Sequence, residues 1–237
     1  SAAVCNDFNA PGTSSALDGA MTLAFGSSTL TVSGSWTNQA TNFSVTNTAG
    51  TLTFNATTTG KTITTNGVTI GVSTTLNGVG GAWTLGSALN IGSNTLTLTN
   101  GTFDTSASNY AVTASAFSSN NSNTRTINFN QSAITITGAG TSWDITTSTN
   151  ATLNAGSSTI TLTGFTATNT LSGSLYTLTG ISTINNASIS NVNNMPNTYL
   201  YYPNYLTVSN SYNINGNQNI NINVNYLVSK LSSLLPI

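Results

Sequence analysis

Along most of the chain, apolar and polar residues alternate with a period of two. Thr29-Leu30-Thr31-Val32-Ser33-Gly34 is the first clear instance. Lys61-Thr62-Ile63-Thr64, Thr95-Leu96-Thr97-Leu98-Thr99-Asn100-Gly101, Ala133-Ile134-Thr135-Ile136-Thr137-Gly138 and Thr159-Ile160-Thr161-Leu162-Thr163-Gly164 repeat it. A period of two places aliphatic side chains on one face of a strand and threonines on the other. β-Branched residues suit that pleated surface, and the Gly and Asn that close each unit tolerate positive φ at tight corners. Ile134, Ile136, Ile160 and Leu162 are expected inside, and Thr135, Thr137, Thr161 and Thr163 outside. The first aliphatics of the five units lie 33, 33, 38 and 26 residues apart, a range typical of solenoids and arrays.

The expected fold is therefore all-β: a parallel β-helix, or β-solenoid, of Thr/Ser/Asn-rich repeats. An antiparallel β-sandwich completed by strand exchange is the alternative. Three segments are expected. Residues 1–19 form an N-terminal arm, residues 20–184 a β-repeat domain, and residues 185–237 an Asn/Tyr-rich segment that caps the stack or contacts another subunit.

Composition narrows the function. Thr (46), Ser (32) and Asn (35) make up nearly half of the 237 residues, whereas Lys, Arg and Asp together number seven and Glu and His are absent. Three scattered cations cannot neutralise a phosphate backbone, so nucleic acid is not an expected partner. A His-based metal site or a Ser-His-Asp triad cannot be built. No apolar run is long enough for a membrane-spanning helix. The opening Ser-Ala-Ala-Val reads as a mature chain after removal of a secretory signal, which places the protein outside the cell or on its surface. Cys5 has no partner within the chain and is either a free thiol or a link to another molecule.

The stretch from Leu89 to Gly164, above all Thr95–Thr105 and Ala155–Gly164, resembles the repeats of β-helical surface proteins of the phage tail-fibre and prokaryotic adhesin type. That resemblance implies display, attachment or fibre formation. The Thr-x-Thr arrays also resemble the flat ladders of ice-binding solenoids, although a chain one-fifth Thr produces such pairs by chance.

Candidate chemistry is sparse. Asp104 and Asp144 each follow a repeat strand and could form a carboxylate pair if stacking joined them, but turn capping explains each alone. The expectation is a protein that is not an enzyme and needs no cofactor or metal. Trp36, Trp83 and Trp143, each in a Gly-Ser-Trp-Thr-like context, could stack on sugars or fill the core beside glycine. Asn42, Asn55, Asn100, Asn120, Asn130, Asn150 and Asn186 stand in glycosylation sequons, no more than chance supplies. The run Asn213–Asn225 alternates amide and aliphatic without a charged gatekeeper, making Ile214, Ile220, Ile222, Val224 and Tyr226 candidate subunit contacts. The expected function is a secreted structural subunit that self-associates through β-strands into a filament, with itself as head-to-tail partner. The alternative is an attachment module that binds surface glycans.

Overall fold

The computed structural model is all-β, a β-solenoid of about six turns. It describes residues 2–10, 21–38, 42–46, 49–138, 142–145, 147, 149–154, 156 and 158–162. Beyond these it describes the backbones of Leu171–Gly173, Ile181–Ile184, Ala187–Ser188, Tyr199–Tyr201 and Leu206–Thr207. Every pairing between these strands is parallel, which removes the antiparallel sandwich.

Each turn, or rung, contributes strands to three faces. The first face stacks Ala3–Cys5, Thr29–Val32, Thr51–Phe54, the first halves of Ser73–Leu85 and Thr95–Asp104, then Ala116–Ser118, Trp143–Ile145 and Leu171–Gly173. The second stacks Phe8–Ala10, Trp36–Asn38, Lys61–Thr64, the second halves of the two long strands, Arg125–Asn128 and Ala151–Asn154. The third begins with Met21–Ala24 on Phe43–Thr46 and resumes with Leu89–Asn90, Val112–Ala114, Ala133–Ile136, Thr159–Leu162, Ile181–Ile184 and Tyr199–Tyr201. Between those two blocks, the Ile70 N–H donates to the Asn90 carbonyl at 2.8 Å.

The rung is shorter than the sequence repeat suggested. Leu30 pairs with Leu52, Leu52 with Thr74, and Thr74 with Leu96, a constant step of 22 residues. The five sequence units are not equivalent positions. Leu30 and Leu96 lie on the first face, Ile63 on the second, and Ile134 and Ile160 on the third.

The core follows from alternation. Val32, Leu52, Phe54, Ile63, Leu98, Phe103, Ile127, Ile134, Ile136 and Ile160 are all buried, while Thr135 is half-buried and Thr137 exposed. The side chains of Thr161, Leu162 and Thr163 lie outside the described residues. Aromatic rings run through the stack: Phe8 lies on Trp36 at 3.9 Å, Trp36 meets Phe54 at 6.5 Å, and Phe54 meets Trp83 at 6.3 Å. Each such pair contributes about 0.5–1.5 kcal/mol beyond area burial.

Glycine makes one corner between the first two faces. A Cβ at Gly78 would sit 1.8 Å from the Ala56 carbonyl oxygen, and one at Gly81 would sit 2.0 Å from it. On the next rung Gly101 has φ +86°, and its Cβ would lie 2.6 Å from the carbonyl oxygens of both Gly78 and Gly81. No side chain fits where these backbones approach.

The segment read as an N-terminal arm begins as part of the stack. Ala3–Cys5 pairs with Thr29–Val32, and Phe8–Ala10 pairs with Trp36–Asn38, in the same chain.

Candidate functional site

The three tryptophans belong to the core. Trp36, Trp83 and Trp143 are 0–1% exposed, so none offers a ring face to a sugar, and the glycan-stacking expectation fails at these positions. They point inward because each occupies the inward phase of its strand: Trp36 pairs with inward Ile63, Trp83 with Phe103, and Trp143 with Phe117. At Trp83, glycine opens room for the indole. The Gly78 and Gly81 Cβ positions are also 2.9 and 3.1 Å from the Trp83 ring.

The two repeat carboxylates stand on different faces. Asp104 pairs with Asn128 on the second face, and Asp144 pairs with Ser118 on the first. Asp104 accepts hydrogen bonds from the Ser106 N–H (2.7 Å) and from Asn128 and Asn130 Nδ2 (both 3.0 Å). Asn154 in turn donates to Asn128 Oδ1 at 2.8 Å. This is an inter-rung amide ladder that begins on a carboxylate. Asp144 Oδ2 accepts from Asn120 Nδ2 at 3.0 Å. Among the described residues, no three His, Cys, Asp or Glu side chains cluster as metal ligands.

The sequon asparagines divide by what their amides do. Asn55, Asn120 and Asn150 are exposed, and Asn42, Asn100 and Asn130 half-buried. Asn100 donates to Asn77 Oδ1 at 2.7 Å, and Asn150 to the Ser122 carbonyl at 3.0 Å. Asn130 donates to the Asp104 cluster. Asn55 accepts from Ser33 Oγ at 2.9 Å. Asn186 lies outside the described residues, as do Ile214, Ile220, Ile222, Val224 and Tyr226.

Arg125, counted above only as one of three scattered cations, is buried. It is 1% exposed, and all five of its N–H donors are engaged. Nε donates to Ser119 Oγ (2.6 Å), Nη1 to the carbonyls of Asn123 (2.8 Å) and Thr149 (2.9 Å), and Nη2 to the carbonyls of Ser119 (2.6 Å) and Thr147. Burial lowers its basicity from the ordinary arginine value. The side chain ties the 119–123 corner to the 147–149 corner of the following rung. The alternation of Arg125 with buried Ile127 and Phe129 was the one available signal.

Two surfaces are left with their chemistry unused. One is the outer edge of the first rung. Among the described residues nothing pairs with the free sides of Ala3–Cys5, Phe8–Ala10 or Met21–Ala24. Cys5, Phe8, Met21 and Leu23 pack against the core there but are only partly buried, and Val4 is 71% exposed. The other is the outward side of the first face, with Thr29 and Thr31, Thr51 and Thr53, Ser73 and Thr75, and Thr95 and Thr97, all half-exposed.

Comparison of the chain with protein-family models, curated proteins and solved structures finds no match. The functional argument rests on these surfaces.

Proposed function

We propose that this chain is a secreted structural protein, a subunit of an extracellular filament or fibre of the general kind that tail fibres and adhesins represent. It assembles head to tail by β-strand-mediated association with its own copies. The observation that carries this reading is the unguarded edge of the first rung. Natural edge strands are protected by Lys, Pro, bulges or inward charges. The strands Ala3–Cys5, Phe8–Ala10 and Met21–Ala24 contain none of these. Among the described residues the charge beside these strands is Asp7, which is turned onto the second rung, where its Oδ1 accepts the Ser35 N–H at 2.7 Å. A further rung from another copy would cover Phe8, Met21 and Leu23 and continue the parallel ladder, and repetition of that contact gives an open polymer. An extracellular setting suits a surface solvated by hydroxyls and amides.

The test is negative-stain imaging and sedimentation of the full chain beside an Ala3→Lys/Asn9→Lys double variant. The native chain should form filaments. The variant should keep the β-sheet circular dichroism and remain dispersed. A native chain that stays monomeric at high concentration, or a double variant that polymerises equally well, refutes edge pairing.

A further inference from the structure

We infer that the outward side of the first face is an ice-binding surface. Its geometry is more regular than solubility or β-propensity requires. The columns Thr29, Thr51, Ser73, Thr95 and Thr31, Thr53, Thr75, Thr97 run through four successive rungs at a constant step of 22 residues. Elsewhere the step between paired residues ranges from 18 (Ile181 to Tyr199) to 28 (Phe8 to Trp36). Direct pairing of these residues on each rung means that neither column is displaced sideways. The hydroxyls and methyls therefore form a two-dimensional lattice, about 4.8 Å between strands and about 6.7 Å between alternate residues along each strand.

The lattice is also stiff. β-Branched side chains have few rotamers, and Thr29 Oγ1 lies 2.8 Å from Thr51 Oγ1, linking the two rungs. Beneath it, Val32, Leu52, Phe54, Leu76, Leu96 and Leu98 are 0–1% exposed. Along one margin, Ser33 donates to Asn55 and Asn100 to Asn77 across rungs. The pattern stops at both ends, at Val4 on the first rung and at Ala116 and Ser118 after Thr97. The other two faces align threonine over several rungs in single columns only. The second has Thr102, Thr126 and Thr152 beside Thr62, Thr84, Asp104, Asn128 and Asn154, and the third has Thr113, Thr135, Thr161 and Thr183 between Asn90 and Tyr201 with Ala133 in the neighbouring column.

These properties select the partner. The array contains no ionisable group, so a charged surface would be desolvated against it with nothing to pair. Charge complementarity points to an uncharged partner. Eight side chains on a fixed lattice are all engaged only by a partner that repeats in two directions. A folded protein surface lacks such a repeat, and a single sugar chain has it in one direction. The oxygen spacings on the prism face of hexagonal ice lie close to both repeats. Each threonine then offers a hydroxyl that joins the hydrogen-bonded water layer and a methyl that fits between its oxygens.

The experiment measures partition of the fluorescently labelled full chain into a growing ice hemisphere, together with thermal hysteresis. The variants are Thr75→Lys in the array, Thr135→Lys on the third face, and Thr75→Ser as the conservative change. Circular dichroism first establishes that each is folded. The native chain and Thr135→Lys should enter the ice and shape its crystals. Thr75→Lys should lose incorporation to background, and Thr75→Ser should retain part of it. A folded native chain excluded from ice, equal loss from Thr75→Lys and Thr135→Lys, or adsorption to crystalline cellulose instead of ice would each overturn the assignment. The assay reads monomers as well as polymers, so its outcome is separate from that of filament assembly.

Discussion

Replacing Arg125 by lysine tests whether a buried cation with only neutral acceptors holds two corners together. The guanidinium makes five hydrogen bonds, to Ser119 Oγ and to the carbonyls of Ser119, Asn123, Thr147 and Thr149. Lysine has three donors, so at least two acceptors lose their partner. An acceptor left unsatisfied on burial costs about 1–3 kcal/mol. The expected loss is therefore about 2–6 kcal/mol, toward the lower end where the half-buried carbonyls of Asn123, Thr147 and Thr149 regain water. Because the acceptors are neutral, the loss should be the same in low and high salt, whereas an ion pair would be screened. A solenoid can open rung by rung, so the assay combines denaturant melts with amide hydrogen exchange. Exchange should quicken at 119–123 and 147–150 and stay unchanged near Leu52. If Arg125→Lys lies within about 0.5 kcal/mol of the native chain, the ordinary range for surface changes, or if the loss shrinks with added salt, the clamp reading is wrong.

Three further outcomes follow. Gly101→Ala should lower the melting temperature sharply, because its Cβ would stand 2.6 Å from two carbonyl oxygens at φ +86°, whereas Gly67→Ala, at φ +81° with open space, should cost only the backbone strain of about 1–2 kcal/mol; equal melting temperatures would show that the corner can relax. Stability should vary little from neutral to about pH 3, since only four Asp and no Glu or His can change charge there. In alkali the sign is set by Cys5, whose thiol pKa is raised by burial and then by the charge of Asp7. A raised folded value contributes stability below the unfolded pKa that is lost as pH rises through the folded one. Thermal melts should therefore show an alkaline decline that Cys5→Ser reduces, and an unchanged decline would exclude the thiol.

The alternation of Leu, Ile and Val with Thr made the class of fold and the inside–outside assignment legible, because a period of two survives any connection between strands. The length of the rung was not legible, for a specific reason. The unit Ser73-Thr74-Thr75-Leu76 places a threonine where its neighbours on the stack have leucine. Thr74 is buried, and its hydroxyl is satisfied by the Val72 carbonyl at 3.0 Å. A buried threonine with a local acceptor looks polar in the sequence and apolar in the stack, so the 22-residue step was masked and strands from three faces were read as one repeat. The first rung was missed because Ala3–Cys5 and Phe8–Ala10 are three residues each, too short to show a period. Their place is set by pairing and by Phe8 on Trp36. The burial of Arg125 depends on carbonyls from the next rung, 22 to 24 residues away, which no local pattern contains.

Scarcity of charge has different consequences on the sides and at the ends of such a stack. On the sides, hydroxyl and amide groups find partners one rung away, as in Thr29–Thr51, Asn77–Asn100 and Asn128–Asn154. These bonds join neighbouring rungs through neutral groups, and exposed ion pairs would contribute little in any case. At an end there is no next rung, and the same groups present an unpaired strand edge over a partly covered core. Globular proteins guard such edges with charge, and solenoids cap them with polar terminal repeats. At the first rung here, Ala3–Cys5, Phe8–Ala10 and Met21–Ala24 supply neither. On the proposed reading, the composition that makes the faces regular concentrates the capacity for strand association at the end of the stack, where the Ala3→Lys/Asn9→Lys variant would introduce charge.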